Sequence, residues 1–154
     1  GQRLSSFFNM YLTLHTDYTK LLLLHLAVQP TSVATIQDVA AHYGISRNHL
    51  MKIAHRAVQA GYVQGVRGRT GGLKLAKPAE EINVGMLLRE TEDWTLVECF
   101  DPASNQCPIS GGCGLQSILK QALGAYFSVL DRYSLADVVH RKGVLVQLLG
   151  LRTA

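Results

Sequence analysis

The chain has 154 residues, of which 47% are hydrophobic and 17% charged, with a formal net charge of +4. Those proportions are ordinary for a soluble globular chain of one domain, or one domain with an appended element, long enough to bury a core. No apolar run approaches the ~20 residues of a membrane span, no cleavable signal pattern opens the chain, and the expected location is the cytoplasm.

Gly1 to Asn9 reads as a leader or expression remnant, because a regular pattern begins only at Met10. From Thr16 the run to Ala27 predicts a helix with Thr16 or Asp17 as N-cap, ended by Gln29-Pro30. A short helix with Ile36, Val39 and Ala40 on one face follows and stops at Gly44. Ile45 then plugs the core and Ser46 caps a second helix, whose apolar stripe is Leu50, Ile53, Ala54 and Ala57. This is helix-turn-helix spacing. The start of the second helix presents Ser46, Arg47, Asn48 and His49, with Lys52 and Arg56 further along, side chains suited to base edges and phosphates. Thr35, ahead of the first helix, joins them as a candidate DNA contact.

Tyr62 to Ala76 alternates apolar and polar residues around a Gly-rich turn, the pattern of a β-hairpin with Arg67 and Arg69 at its tip. A phosphate-cradling nucleotide loop is set aside because the Walker spacing is missing. An arginine-tipped hairpin suits a narrow minor groove. The expected fold is mainly α with a small β-hairpin wing: a winged helix-turn-helix over residues 10–82.

Charge supports that reading. From Ala34 to Pro78 seven Lys and Arg stand against the single acid Asp38, a balance of +6, whereas from Asn83 onward the balance is −1. So one-sided a segment points to a polyanion, most simply double-stranded DNA.

Residues 83–114 read as a connector helix, Val84 to Glu92, and a loop holding all three cysteines of the chain, Cys99, Cys107 and Cys113. Trp94 is expected as a core or interface anchor. The residues between the cysteines are turn formers, able to point three sulfurs at one place. Soft thiolates suit an iron–sulfur cluster or zinc, and either wants a fourth ligand from elsewhere in the chain or from a second copy.

Residues 115–154 carry the longest helical pattern, Leu115, Ile118, Leu119, Ala122, Leu123, Tyr126, Phe127 and Leu130. Over ~20 residues this is about 30 Å of helix, and a stripe so long predicts a dimerisation helix packed on its partner in a homodimer. Ser134 caps a last helix, and an apolar tail follows from Val144 to Leu151. No nucleophile–base constellation stands out, so the chain is not read as an enzyme.

Taken in this order, winged helix, three-cysteine loop and long helix resemble the Rrf family of bacterial transcription regulators from Met10 to Leu149. The pieces are Leu12-Thr13, Thr16-Asp17-Tyr18, Ser46-Arg-Asn-His-Leu-Met-Lys52, Gly61-Tyr-Val, Val66-Arg-Gly-Arg-Thr-Gly-Gly72, Glu98-Cys-Phe-Asp101 and Tyr133-Ser-Leu-Ala-Asp137. Ser46 to Lys52 and Ile82-Asn-Val-Gly look most like the nitric-oxide-sensing repressors of that family, while the cysteine spacing is shared with its iron-responsive members. A third type uses a histidine three residues after its last cysteine, where this chain has Gln116.

The resemblance implies an iron–sulfur cluster, 4Fe–4S before 2Fe–2S, on Cys99, Cys107 and Cys113, completed by Asp17 of the partner subunit. An oxygen donor is harder than thiolate and leaves one iron more exchangeable. It also implies a palindromic operator read by a homodimer, with nitric oxide as the effector that relieves repression. An iron-responsive regulator, a zinc-stabilised regulator and an electron-transfer module are the rival readings.

Overall fold

The computed structural model describes residues 12–29 and 31–151; the expected leader, Gly1 to Asn9, lies outside the described residues. Seven helices and one two-stranded sheet appear among them. They are α1 (Leu14–Val28), α2 (Ile36–Tyr43), α3 (Arg47–Gln59), β1 (Val63–Val66), β2 (Gly72–Leu75), α4 (Val84–Thr91), α5 (Leu115–Leu130), α6 (Leu135–Val138) and α7 (Lys142–Leu148).

Helix α1 is the centre of the core. Its leucine run leaves it apolar on most sides, which a helix tolerates only when neighbours surround it. Leu22, Leu23, Leu26 and Ala27 are buried there against Val39 of α2, Leu50 and Ile53 of α3, and Ile82. The helix begins earlier than expected. Thr13 is its N-cap, accepting from the Thr16 amide, so Thr16 and Asp17 fall in the first turn instead of capping it. The Thr13 amide also donates to Glu92, and the Thr16 hydroxyl to the Thr91 carbonyl at 3.1 Å. Those bonds hang the start of α1 on the end of α4.

The helix-turn-helix forms as its sequence dictates. Thr35 and Asp38 make a capping box at the start of α2, and Gly44 ends it in the left-handed region at φ +64°. Ser46 caps α3, accepting from the His49 amide, and Leu50, Ile53, Ala54 and Ala57 are its buried face.

Strands β1 and β2 pair antiparallel with Val63 opposite Leu75 and Val66 opposite Gly72. A third contact fixes this wing to the helix-turn-helix: Ala34 exchanges both backbone hydrogen bonds with Leu73, at 2.9 and 2.8 Å. Gly72 is needed at that crossing, because a Cβ would stand 2.7 Å from the Ala34 carbonyl oxygen.

Past α4 the chain leaves this body and returns. Trp94 packs edge-on against Phe127 of α5 at 4.8 Å between centroids, and its indole N–H donates to the Leu88 carbonyl, as an anchor should. Helix α5 has the bounds of its apolar stripe, Leu115–Leu130, and its 16 residues make about 24 Å of helix, less than the ~30 Å expected. Only Phe127 on it is buried, while Leu115 and Ile118 stand 54% and 62% exposed. The return is a bridge between Asn83 and Ser134, with Leu135 donating to Ile82 and Val84 to Tyr133. It buries Leu135 and Val139 in the main core. Ser134 caps α6 with Asp137 in a capping box, but α6 is not last: α7 follows where a tail was expected.

Candidate nucleic-acid interface and cysteine loop

Helix α3 presents its first turns outward. Arg47, Asn48 and Lys52 are exposed, and His49 is half-buried, its ring edge-on to Tyr18 of α1 at 5.0 Å. Neither Arg47 nor Lys52 has an ion pair among the described residues, which leaves their N–H groups available to a ligand. The Ser46 hydroxyl is engaged by the His49 amide, and the Thr35 hydroxyl donates to Asp38 at 2.6 Å. Both therefore shape the helix starts first, with only residual capacity for DNA. Arg56 lies a turn beyond Lys52 on the flank toward α1, where it lines a cleft with His15 and Thr19.

The motif reading passed over two residues. Met51 and His55 are exposed on the same outward face as Asn48 and Lys52. The signal was there in the three- and four-residue spacing from Asn48. At the wing tip Arg67 and Arg69 are exposed on either side of Gly68, whose φ of +113° only glycine adopts without strain. A Cβ at Gly71 would meet the Val66 carbonyl oxygen at 2.3 Å, so the turn cannot close around any larger residue. Arg67 and Arg69 thus sit on a hairpin locked to α2 by the Ala34–Leu73 pair.

The cysteine loop is built from turns, as its composition dictates. Cys99 lies in a short 3-10 turn, Glu98–Phe100. Asp101 then accepts from the Ala103 amide and the Ser104 hydroxyl, and these bonds hold its carboxyl below the usual range. Asn105 accepts from the Cys107 amide at 3.0 Å, and the Cys113 amide donates to Ile109 at 2.9 Å. Gln116, in the first turn of α5, donates to the Cys99 carbonyl. Its side chain staples the two ends of the loop together.

All three thiols are free and half-exposed. Three unpaired soft donors on one short loop have the chemistry that an iron–sulfur cluster or zinc takes. Among the described residues, however, no three Cys, His, Asp or Glu side chains are grouped as a metal site. Asp17 is half-buried on α1, paired with Lys20 at 2.8 Å, and is not joined to the loop of its own chain. Helix α5 intervenes in sequence between the loop and the return to the core; of its apolar stripe only Phe127 is buried, with Leu119, Leu123 and Leu130 half-buried.

The family model described as "Iron-dependent Transcriptional regulator", Rrf2, matches residues 12–141. The chain belongs to the Rrf2 family. It is 46% identical over 145 residues to the HTH-type transcriptional regulator NsrR of Bacillus subtilis (strain 168), covering 93% of this chain and 99% of that protein. It is 44% identical over 143 residues to NsrR of Bacillus licheniformis, covering 92% and 100%. Among solved structures, T. potens IscR superposes with a TM-score of 0.69 at 22% identity, over 86% of this chain and 88% of that one. Staphylococcus aureus CymR gives 0.63 at 25% identity, over 80% and 93%.

The motif resemblance is therefore borne out, for the family and for its likeness to NsrR. So is the fold, a mainly helical winged helix-turn-helix with a two-stranded wing. This Rrf2 chain is a transcription regulator, and its family is one of regulators rather than enzymes.

Proposed function

We propose that this Rrf2 chain is a homodimeric, DNA-binding repressor that carries an iron–sulfur cluster on Cys99, Cys107 and Cys113, responds to nitric oxide, and acts in the cytoplasm. The observation that carries the reading is the placement of three free, half-exposed thiols on one turn-built loop between α4 and α5, in a chain closely similar to NsrR. The fourth ligand is Asp17 of the partner subunit, and the cluster is of the 4Fe–4S type. When bound, the cluster supplies iron sites at which nitric oxide reacts.

The chain's own residues do the rest. The Gln116–Cys99 bond holds the mouth of the loop against the start of α5. The exposed stripe of α5, Leu115, Ile118 and Val129, is the surface on which the partner's helix packs, for apolar area of this extent is stable when a second copy covers it. Asp17 sits one turn from Thr13, and the Thr13–Glu92 and Thr16–Thr91 bonds tie that turn to α4. A cross-subunit bond at Asp17 therefore pulls on the element that supports α3. Half-sites of a palindromic operator stand one DNA turn apart, ~34 Å, so a displacement of a few ångströms between the two α3 helices disrupts binding. The effector shifts the equilibrium because that bond exists in one state only.

An iron-responsive role of the same loop is the second reading, favoured by the description of the matching family as iron-dependent. The decisive experiment purifies the chain and its Cys107→Ala variant without oxygen and records visible spectra while titrating nitric oxide, with operator binding read alongside. The wild type is expected to be coloured and to release DNA as nitric oxide bleaches it, and the variant to be colourless and derepressed. A colourless wild type holding zinc overturns the cluster, a coloured Cys107→Ala overturns that ligand, and release on iron chelation with indifference to nitric oxide selects the second reading.

A further inference from the structure

A cleft of about 200 Å3 opens where two helices of the winged domain meet α4, lined by His15 and Thr19 of α1, Arg56 and Ala57 of α3, and Glu90 and Thr91 of α4. By water's ~30 Å3 share of liquid volume it holds about seven waters' worth of space, enough for a very small organic molecule.

Its hydrogen-bonding groups differ in what they offer. The Thr19 hydroxyl donates to the His15 carbonyl at 2.8 Å and the Thr91 hydroxyl to the Leu87 carbonyl at 2.9 Å. With their protons committed to their own helices, both hydroxyls have only lone pairs left for the cleft. Tyr62 donates to one oxygen of Glu90 and leaves the other free to accept; burial and the carboxylate push the phenol pKa up, so this proton stays on tyrosine. These three groups are acceptors toward the cleft. Arg56 also lines the cleft, and its guanidinium has five N–H donors and no hydrogen bond or ion pair among the described residues. Ala57 and Ala60 add apolar lining.

A ligand matching this lining needs a carboxylate for Arg56, an ammonium for the acceptors, and little between them. We propose that the cleft binds a zwitterionic α-amino acid, its carboxylate forked on Arg56 and its ammonium held by Glu90 and the two threonine hydroxyls. Bidentate guanidinium–carboxylate pairing is the strong, directional element of such a site. The occupant ties α3 to α4 and to the first turns of α1, and so biases the placement of the recognition helix. The site shares no residue with the cysteine loop and needs no metal.

Calorimetric titration of the full chain with each proteinogenic L-amino acid, near neutral pH, tests this directly. At least one is expected to bind, with its N-acetyl and its methyl ester forms each weaker by about tenfold or more, and with Arg56→Gln and Glu90→Gln each costing a similar factor. Shifts of the Ala57 and Ala60 amides in NMR spectra of the wild type locate the ligand without recourse to the variants, should either fail to fold. Absence of binding by every amino acid, blocked forms that bind equally well, or shifts confined to other parts of the chain would each overturn the proposal.

Discussion

Asp131, at the C-cap of α5, takes both terminal nitrogens of Arg89 on α4 at 2.6 and 2.8 Å, and the same guanidinium lies 4.1 Å over the ring of Phe127. This fork joins the helix after the cysteine loop to the helix leading out of the winged domain. The hydrogen bond from Arg89 holds the Asp131 carboxyl below its ordinary 3.8. A depressed carboxyl pKa contributes stability above the unfolded value and loses it as pH falls through the folded one. Asp131→Asn is therefore expected to melt slightly below the wild type at neutral pH, the gap closing as the pH drops below about 4. Thermal melts across that range check it, and a gap that persists in acid contradicts it.

Gly85 makes the fork possible. A Cβ there would stand 1.9 Å from Asp131 Oδ1 and 3.1 Å from Arg89 Nη1. The obstacle is the end of an exposed, movable side chain, while alanine in a helix gains up to ~1 kcal/mol over glycine. Gly85→Ala is expected to keep the melting temperature nearly unchanged and yet to open the fork. NMR titration should then show the Asp131 carboxyl back near 3.8; a large loss of stability would mean that the backbone, not the fork, needs this glycine.

His25 on α1 is buried, its Nδ1 has no hydrogen-bond partner among the described residues, and its ring meets His42 and Tyr43 edge-on at 5.3 and 5.8 Å. Burial lowers its pKa, His42 lowers it further and Asp38 opposes. A base with a lowered folded pKa takes up its proton first in the unfolded chain, so stability is lost as pH falls below the ordinary 6.5. His25→Phe keeps a ring in place and removes the proton site. Its urea midpoint is expected to fall less than that of the wild type on acidification below 6.5, and parallel curves would show that His25 does not contribute to the acid sensitivity.

Arg47 leads the recognition helix, exposed and without an ion pair among the described residues. If it forks to a base edge, Arg47→Ala costs ~1–3 kcal/mol on the operator and little on random DNA. Arg67→Ala at the wing is expected to weaken both. Binding isotherms at two salt concentrations separate the roles, since loss of a phosphate contact also flattens the salt dependence by about one unit.

Local rules made much of this chain legible. Gly44 with Ser46 marks the turn of the helix-turn-helix because a left-handed cap and a hydroxyl N-cap are written in single residues. The wing could be read from strand alternation around glycines, and the helix stripe Leu50, Ile53, Ala54 and Ala57 from its period. The candidate interface was legible for the same reason: Arg47, Asn48 and Lys52 follow a cap at fixed angles around one helix. Where neighbours compete, sequence misled: Thr13 caps α1 ahead of Thr16.

Contacts between distant segments were decided only by the tertiary structure. Ala34 pairing with Leu73, Asn83 with Ser134, and Asp131 with Arg89 join residues 39 to 51 positions apart, and no local pattern encodes such partners. The cleft beside Arg56 has the same origin, for its walls come from three helices. Residue order determined which side chains stand at the start of α3, at the wing tip and on the cysteine loop. Packing around α1 determined which of them meet, because burial rewards whichever distant surfaces fit together.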